Sequence, residues 1–153
     1  MSKIPAVSPL DAHLGYWLRF VSNHVSHAFS QKIAARDVTV AEWVLMRELY
    51  KHASIAPSRL AADLHMSRGA ISKLVDRLTV KNLVAKAQGE RDRRYQDVAL
   101  TSDGRALVPE LAALADKNDA EFFGHLSASE RSVMETILKE IVRRRGMTNL
   151  PIE

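Results

Sequence analysis

The sequence contains no cysteine. That excludes disulfides, a thiol redox switch and a Cys-based zinc site, and it fits a reducing cytoplasm, the expected location. No apolar run approaches the roughly 20 residues that a membrane span requires, so no membrane partner is expected. The opening stretch, MSKIPAVSPLDAHLGYW, lacks the apolar centre of a signal peptide. The six histidines are scattered and form no His-x-x-x-His pair. His24 and His27 stand a turn apart and, like His13, read as surface or interface groups. There is no Ser/His/Asp set, no metal cluster and no phosphate loop, so neither an enzyme nor a cofactor nor a metal is expected. Internal repeats, low-complexity segments and linkers are absent too.

Present instead are 153 residues, of which 46% are apolar and 26% charged. This suits one globular domain with a real core. The net charge is +4, and all of the excess lies in the middle of the chain. Between Ser58 and Arg105, ten Lys and Arg face six Asp and Glu. A basic surface localised in this way is the electrostatic footprint of a nucleic-acid binder.

Helical spacing of Leu10, Leu14, Leu18, Val21, Val25, Phe29 and Ile33 predicts one long helix from about Pro9 to Ala35. It exceeds what a small domain can cover, which suggests a partner chain. TVAE, Thr39 to Glu42, is a capping box opening a helix to about His52 that buries Trp43, Leu45, Met46 and Leu49. Pro57 starts a short helix. Ser67 caps the next, from about Arg68 to Lys81, with Ile71, Leu74, Val75 and Leu78 inward and Asn82 as a left-handed cap. LVAKAQ and YQDVAL read as two short strands around a loop carrying Arg91, Asp92, Arg93 and Arg94. Thr101 caps a helix over about Ser102 to Phe123, with Leu107, Leu111, Leu114 and Ala115 inside. SASE, Ser127 to Glu130, is a second capping box. The last helix is expected to bury Val133, Met134, Ile137, Leu138 and Ile141. Its closing Arg143 to Arg145 read first as complements of the helix dipole.

Short helix, tight turn, second helix and hairpin make a helix-turn-helix with a wing. The fold class expected is therefore mainly α, a winged helix-turn-helix with a two-stranded β wing and long N- and C-terminal dimerisation helices. A major groove about 12 Å wide admits one helix, which must bury one face and offer small and polar groups on the other. Here the outer face carries Arg68, Gly69, Ser72, Lys73, Asp76 and Arg77. Gly69 lets the backbone come close, and Ser67 with the first free amides suits a phosphate. Arg77 is expected either to hold a phosphate or to pair with Asp76. Arginine is favoured in a narrow minor groove, which gives the wing a destination. Asp92 is expected to orient Arg94 by an ion pair.

The segments TVAEWVLMREL, SRLAADLHMSRGAISKLVDRLTVKNLV and above all DRRYQDVALTSDG resemble the MarR family of bacterial transcriptional regulators. The resemblance covers nearly the whole chain. It implies a homodimer built by residues 1–36 and 102–146, with a winged helix-turn-helix lobe over 39–101. The partner implied is double-stranded DNA, read as a pseudo-palindromic operator by a ligand-responsive repressor. Arg94 stands where the family's wing arginine stands, Asp92 where its orienting acid stands, and Ser67 to Lys73 open the recognition helix. The effectors implied are small molecules, often aromatic acids, bound between the dimer helices and the lobe. Here that is the region of Trp17, His24, Trp43 and Arg47, although both tryptophans also read as core or interface. Two positions depart from the family's usual pattern: Asn82 replaces a common Gly, and Ala56 replaces a common Thr or Ser cap. The cysteine-based oxidant sensing of one branch is excluded. The rival reading is a winged-helix module that binds protein or bends DNA without sequence preference.

Overall fold

Capping chemistry sets most of the element boundaries in the computed structural model, which describes residues 5–88 and 96–148. A single 3-10 turn, Leu10–Ala12, precedes α1, Leu14–Ala34. The expected continuous helix is thus broken at His13, whose backbone is extended. Two bonds hold the break. The His13 amide donates to Leu10 O at 3.1 Å, and Trp17 Nε1 donates to Asp11 O at 2.9 Å.

Helix α2, Val40–Leu49, opens with the capping box: Thr39 Oγ1 accepts from the Glu42 amide at 3.2 Å, and Glu42 Oε2 accepts from the Thr39 amide at 3.4 Å. It stops short of His52 because the last turn tightens. The Lys51 and His52 amides reach back only three residues, to Glu48 O and Leu49 O. Pro57 heads α3, Pro57–Asp63, and Ala56 provides no side-chain cap. Ser67 Oγ accepts from the Ala70 amide at 3.1 Å and caps α4, Arg68–Val80. Asn82 then takes the left-handed conformation, φ 58°, so the chain can turn back without glycine.

Strands β1, Val84–Gln88, and β2, Gln96–Leu100, pair antiparallel with Val84 opposite Leu100 and Lys86 opposite Val98. Ile55 and Val98 exchange two backbone bonds of 3.0 and 2.9 Å, tying the α2–α3 connection to the hairpin. Thr101 and Ser127 cap α5, Ser102–Phe123, and α6, Ala128–Arg145; the latter ends on Gly146 at φ 58°.

The core fills the space between α2, α3, α4, the hairpin, the end of α1 and the first half of α5, through Ile33, Leu45, Leu49, Leu60, Ile71 and Leu78 among others. Trp43 is only half-buried, as are Leu107, Leu114 and Ala115, while Leu111 is fully buried. A further expectation fails on the isolated chain. The apolar stripe of α6 is not buried: Val133 is 58% and Ile137 55% exposed, and Met134, Leu138 and Ile141 are exposed as well. The physical reason is that, among the described residues, this face meets no helix of its own chain closely. It looks across an open apolar groove at Leu14, Trp17, Leu18 and Val21 of α1, which are equally exposed. The groove has a volume of about 870 Å³.

Candidate nucleic-acid interface

Helix α4 presents two chemically distinct faces. Ile71, Leu74, Val75 and Leu78 are buried, at spacing i, i+3, i+4 and i+7. Arg68, Gly69, Ser72, Lys73, Asp76 and Arg77 are exposed. A Cβ placed on Gly69 would meet no atom within 4 Å, so the space over the first turn is open. Ser67, also exposed, uses its hydroxyl as an acceptor for the Ala70 amide. The hairpin stands beside this face. A cleft of about 200 Å³ between the two is lined by Arg68, Ser72, Asp76, Lys86 and Gln96. Ser54 Oγ donates to Asp97 Oδ2 at 3.3 Å and steadies the base of β2. Arg91, Asp92, Arg93 and Arg94 lie outside the described residues, so the proposed Asp92–Arg94 pair lies there too.

Arg77 has a partner within the chain that the sequence did not suggest. Its guanidinium engages Glu42, not Asp76: Nη2 lies 2.8 Å and Nε 3.1 Å from Glu42 Oε1. Lys81 Nζ takes the other carboxylate oxygen, Oε2, at 2.8 Å and also donates to Asp37 O at 2.6 Å. The Glu42 side chain is 1% exposed, whereas that of Arg77 is 52% exposed. Burial pushes the Glu42 carboxyl up, but hydrogen bonds from Lys81, Arg77 and the Thr39 amide outweigh it and hold the group below its ordinary value. Sequence reasoning treated Glu42 only as half of a capping box. The further signal was its place at i, i+3, i+4 and i+7 with Leu45, Met46 and Leu49, which puts a carboxylate on the buried stripe of α2.

Asn118 was missed as well. It is 3% exposed, accepts from Lys32 Nζ at 3.0 Å and donates to Val25 O at 3.1 Å, pinning α5 to α1. Lys32 also pairs with Glu121 at 2.7 Å.

The four residues proposed for ligand binding do not converge within the chain. Trp17 lines the α1–α6 groove, His24 packs on Phe20 at 4.8 Å between centroids, and Trp43 packs edge-on against Phe29 at 6.3 Å. Trp17 and Phe29 are twelve residues apart on one helix, about 18 Å along its axis. Arg47 is exposed, one turn beyond Trp43. Glu48, His52 and Asp63 bring ligand atoms within 4.8 Å of one another. Lys51 at 2.7 Å from Glu48 and Arg59 at 3.8 Å from Asp63 already partner both carboxylates.

Residues 38–95 match the family model described as MarR. The transcriptional repressor MdtR of Bacillus subtilis is 29% identical over 100 residues, 65% of this chain and 64% of that protein, so the match spans under two thirds of that relative. A MarR variant from E. coli, solved in complex with operator DNA, superposes with a TM-score of 0.75 at 25% identity, covering 84% of this chain and 93% of that one. BpsR of Bordetella bronchiseptica, solved in work on control of its DNA binding by 6-hydroxynicotinic acid, gives a TM-score of 0.75 at 25% identity over 89% and 97% of the two chains.

Proposed function

We propose that the chain is a MarR-family winged-helix transcriptional regulator, as the match of residues 38–95 to the family model supports, and that it acts as a homodimeric, ligand-responsive repressor on a pseudo-palindromic operator. The observation that carries this reading is α4 itself, which buries an apolar stripe and leaves Arg68, Gly69, Ser72 and Lys73 open beside a hairpin. The residues that meet DNA are, on this proposal, Ser67, Arg68, Gly69, Ser72 and Lys73 in the major groove. Arg91, Arg93 and Arg94 serve the wing, with Asp92 orienting Arg94. The relatives are transcriptional regulators, and no catalytic role is proposed. The work is done on the chromosome, in the cytoplasm.

The apolar groove between α1 and α6 supports the dimer. Exposed apolar faces of this extent mark association surfaces, and a two-fold operator needs two recognition helices about one DNA turn, ~34 Å, apart. Residues 1–36 and 102–146 supply the dimer helices and 39–101 the lobe. An effector that alters the spacing of the two α4 helices weakens operator binding. Couplings of this kind are typically about 1–3 kcal/mol, or roughly 5–150-fold in affinity. A small aromatic acid fits best where Trp43 and Arg47 place a ring and a cation one turn apart on α2. Trp17 and His24 then belong to the dimer surface.

Footprinting on operator sequences selected from random DNA tests the reading. A protected, two-fold symmetric site with half-site centres about one DNA turn apart supports it. Uniform protection without sequence preference favours an architectural DNA binder, and no DNA binding at all favours a protein-interaction module.

A further inference from the structure

Resting on that reading, we infer that Glu42 is the positioning residue of the recognition helix: its carboxylate, clamped between Arg77 and Lys81, fixes the pitch of α4, and Arg77 serves DNA binding through Glu42 rather than by holding a phosphate. Each oxygen of the carboxylate is committed. Oε1 accepts twice from Arg77, at 2.8 and 3.1 Å. Oε2 accepts from Lys81 at 2.8 Å and, more loosely, from the Thr39 amide at 3.4 Å. Arg77 Nη2 also approaches Thr39 Oγ1 at 3.4 Å. A buried carboxylate stripped of its cations carries a heavy desolvation penalty. Either cation leaving for a phosphate would therefore leave one oxygen of the buried Glu42 carboxylate without its charged partner.

The location gives the clamp leverage. Arg77 and Lys81 lie at the C-terminal end of α4, one turn apart, whereas the residues that face the groove open its N-terminal end. Arg68 is nine residues from Arg77, about 14 Å along the axis, so a tilt of only ~10° at the clamp moves the reading end by about 2 Å. That shift breaks base-edge hydrogen bonds, which tolerate only a few tenths of an ångström. The clamp also reaches past the lobe. Lys81 donates to the carbonyl of Asp37, which follows the end of α1 in a left-handed turn at φ 56°. The same group of side chains thus ties the recognition helix to the connection leaving the proposed dimer helix.

Charge and position predict opposite signs, which makes the test decisive. Glu42→Gln removes a negative charge beside a basic surface, so simple electrostatics demands tighter binding to all DNA. Binding of the wild-type chain, Glu42→Gln, Arg77→Lys and Arg77→Gln to selected operator and to random DNA is measured across a salt series. Dimer size and thermal unfolding are checked alongside. The expected result is that Glu42→Gln loses roughly tenfold or more in operator affinity while its affinity for random DNA holds or rises. Arg77→Lys, at a half-exposed position that keeps its charge but loses the two-pronged contact, should lose operator preference in the same way, and it decides the matter if Glu42→Gln does not fold. Arg77→Gln should leave the salt slope unchanged. Operator binding by Glu42→Gln as tight as wild type or tighter overturns the proposal. So does a slope that drops by about one in Arg77→Gln, the mark of a lost phosphate contact. A wild-type chain with no preference for any sequence sinks the regulator reading and this proposal together. A wild-type preference that survives in Glu42→Gln and Arg77→Lys sinks the positioning role alone.

Discussion

Gly104 lies against the main chain of Leu83 so closely that a Cβ built on it would stand 2.1 Å from the Leu83 carbonyl oxygen. The contact belongs to a latch. Thr101 Oγ1 donates to Asn82 O at 2.8 Å, the Thr101 amide donates to Leu83 O at 3.0 Å, and the Gly104 amide donates back to Thr101 Oγ1 at 3.0 Å. The first turn of α5 is thereby seated on the left-handed turn that ends α4. Gly104→Ala cannot be relieved by a flexible side chain, because the obstacle is backbone. We expect a loss of about 1–3 kcal/mol in chemical denaturation, the usual cost of overpacking, with a weaker operator complex as α5 lifts from the lobe. A variant as stable as wild type would show that the latch yields without strain.

The buried clamp should leave a signature in acid. The Glu42 carboxyl is held below its ordinary value of about 4.3 in the folded chain. The unfolded chain therefore takes up this proton first as pH falls, and the native state loses the corresponding stability. The contribution is complete above the unfolded value and disappears as pH drops through the lower, folded one. Glu42→Gln should cost about 1–3 kcal/mol at neutral pH, the range of charge-assisted hydrogen bonds, and the gap to wild type should narrow as pH falls below the ordinary carboxylate range. Unfolding curves of both proteins from neutral to pH about 3 measure it. A gap that stays constant with pH would assign the loss to packing.

The open α1–α6 groove makes the oligomer the next measurable quantity. Ile137 is 55% exposed and lines the groove opposite α1, where it forms no part of the lobe core. Ile137→Glu places a charge in the middle of an apolar face, which should halve the particle mass in light scattering while barely moving the lobe's own unfolding. Operator binding should fall with it, since two half-sites held by one particle act as a single tight contact. A variant that remains dimeric would move the association surface elsewhere.

What could be read from residues alone was whatever local chemistry decides. Thr39 with Glu42 and Ser127 with Glu130 fixed helix starts, Asn82 took the left-handed turn, and the α4 stripe from Ile71 to Leu78 faced the core as its spacing required. What stayed hidden depends on what packs against what. Glu42 and Arg77 are 35 positions apart, and only the fold shows that they touch. The α6 stripe had the period of a buried helix, but period states that a face wants cover, and Val133 remains 58% exposed in the single chain. Trp17 and Trp43 both carried the aromatic character a ligand site needs, yet Trp17 lines the α1–α6 groove whereas Trp43 packs against Phe29.

The reading helix offers the finest discrimination, because Lys73 and Arg94 are proposed to do different work. Lys73 is exposed on the outer face of α4, three residues before the exposed Asp76. Lys73→Ala should change which operators are bound if the ammonium reads base edges. If it holds a phosphate instead, affinity should fall evenly across sequences and the salt slope should drop by about one. Arg94→Ala should weaken operator binding by more than about 1 kcal/mol and leave the dimer intact, because a wing arginine in a narrow minor groove carries binding but no association. Parallel titrations against an operator, the same operator with a widened minor groove and random DNA separate the two roles. Operator binding by Arg94→Ala that equals wild type would remove the wing from the recognition surface and leave α4 to carry specificity alone.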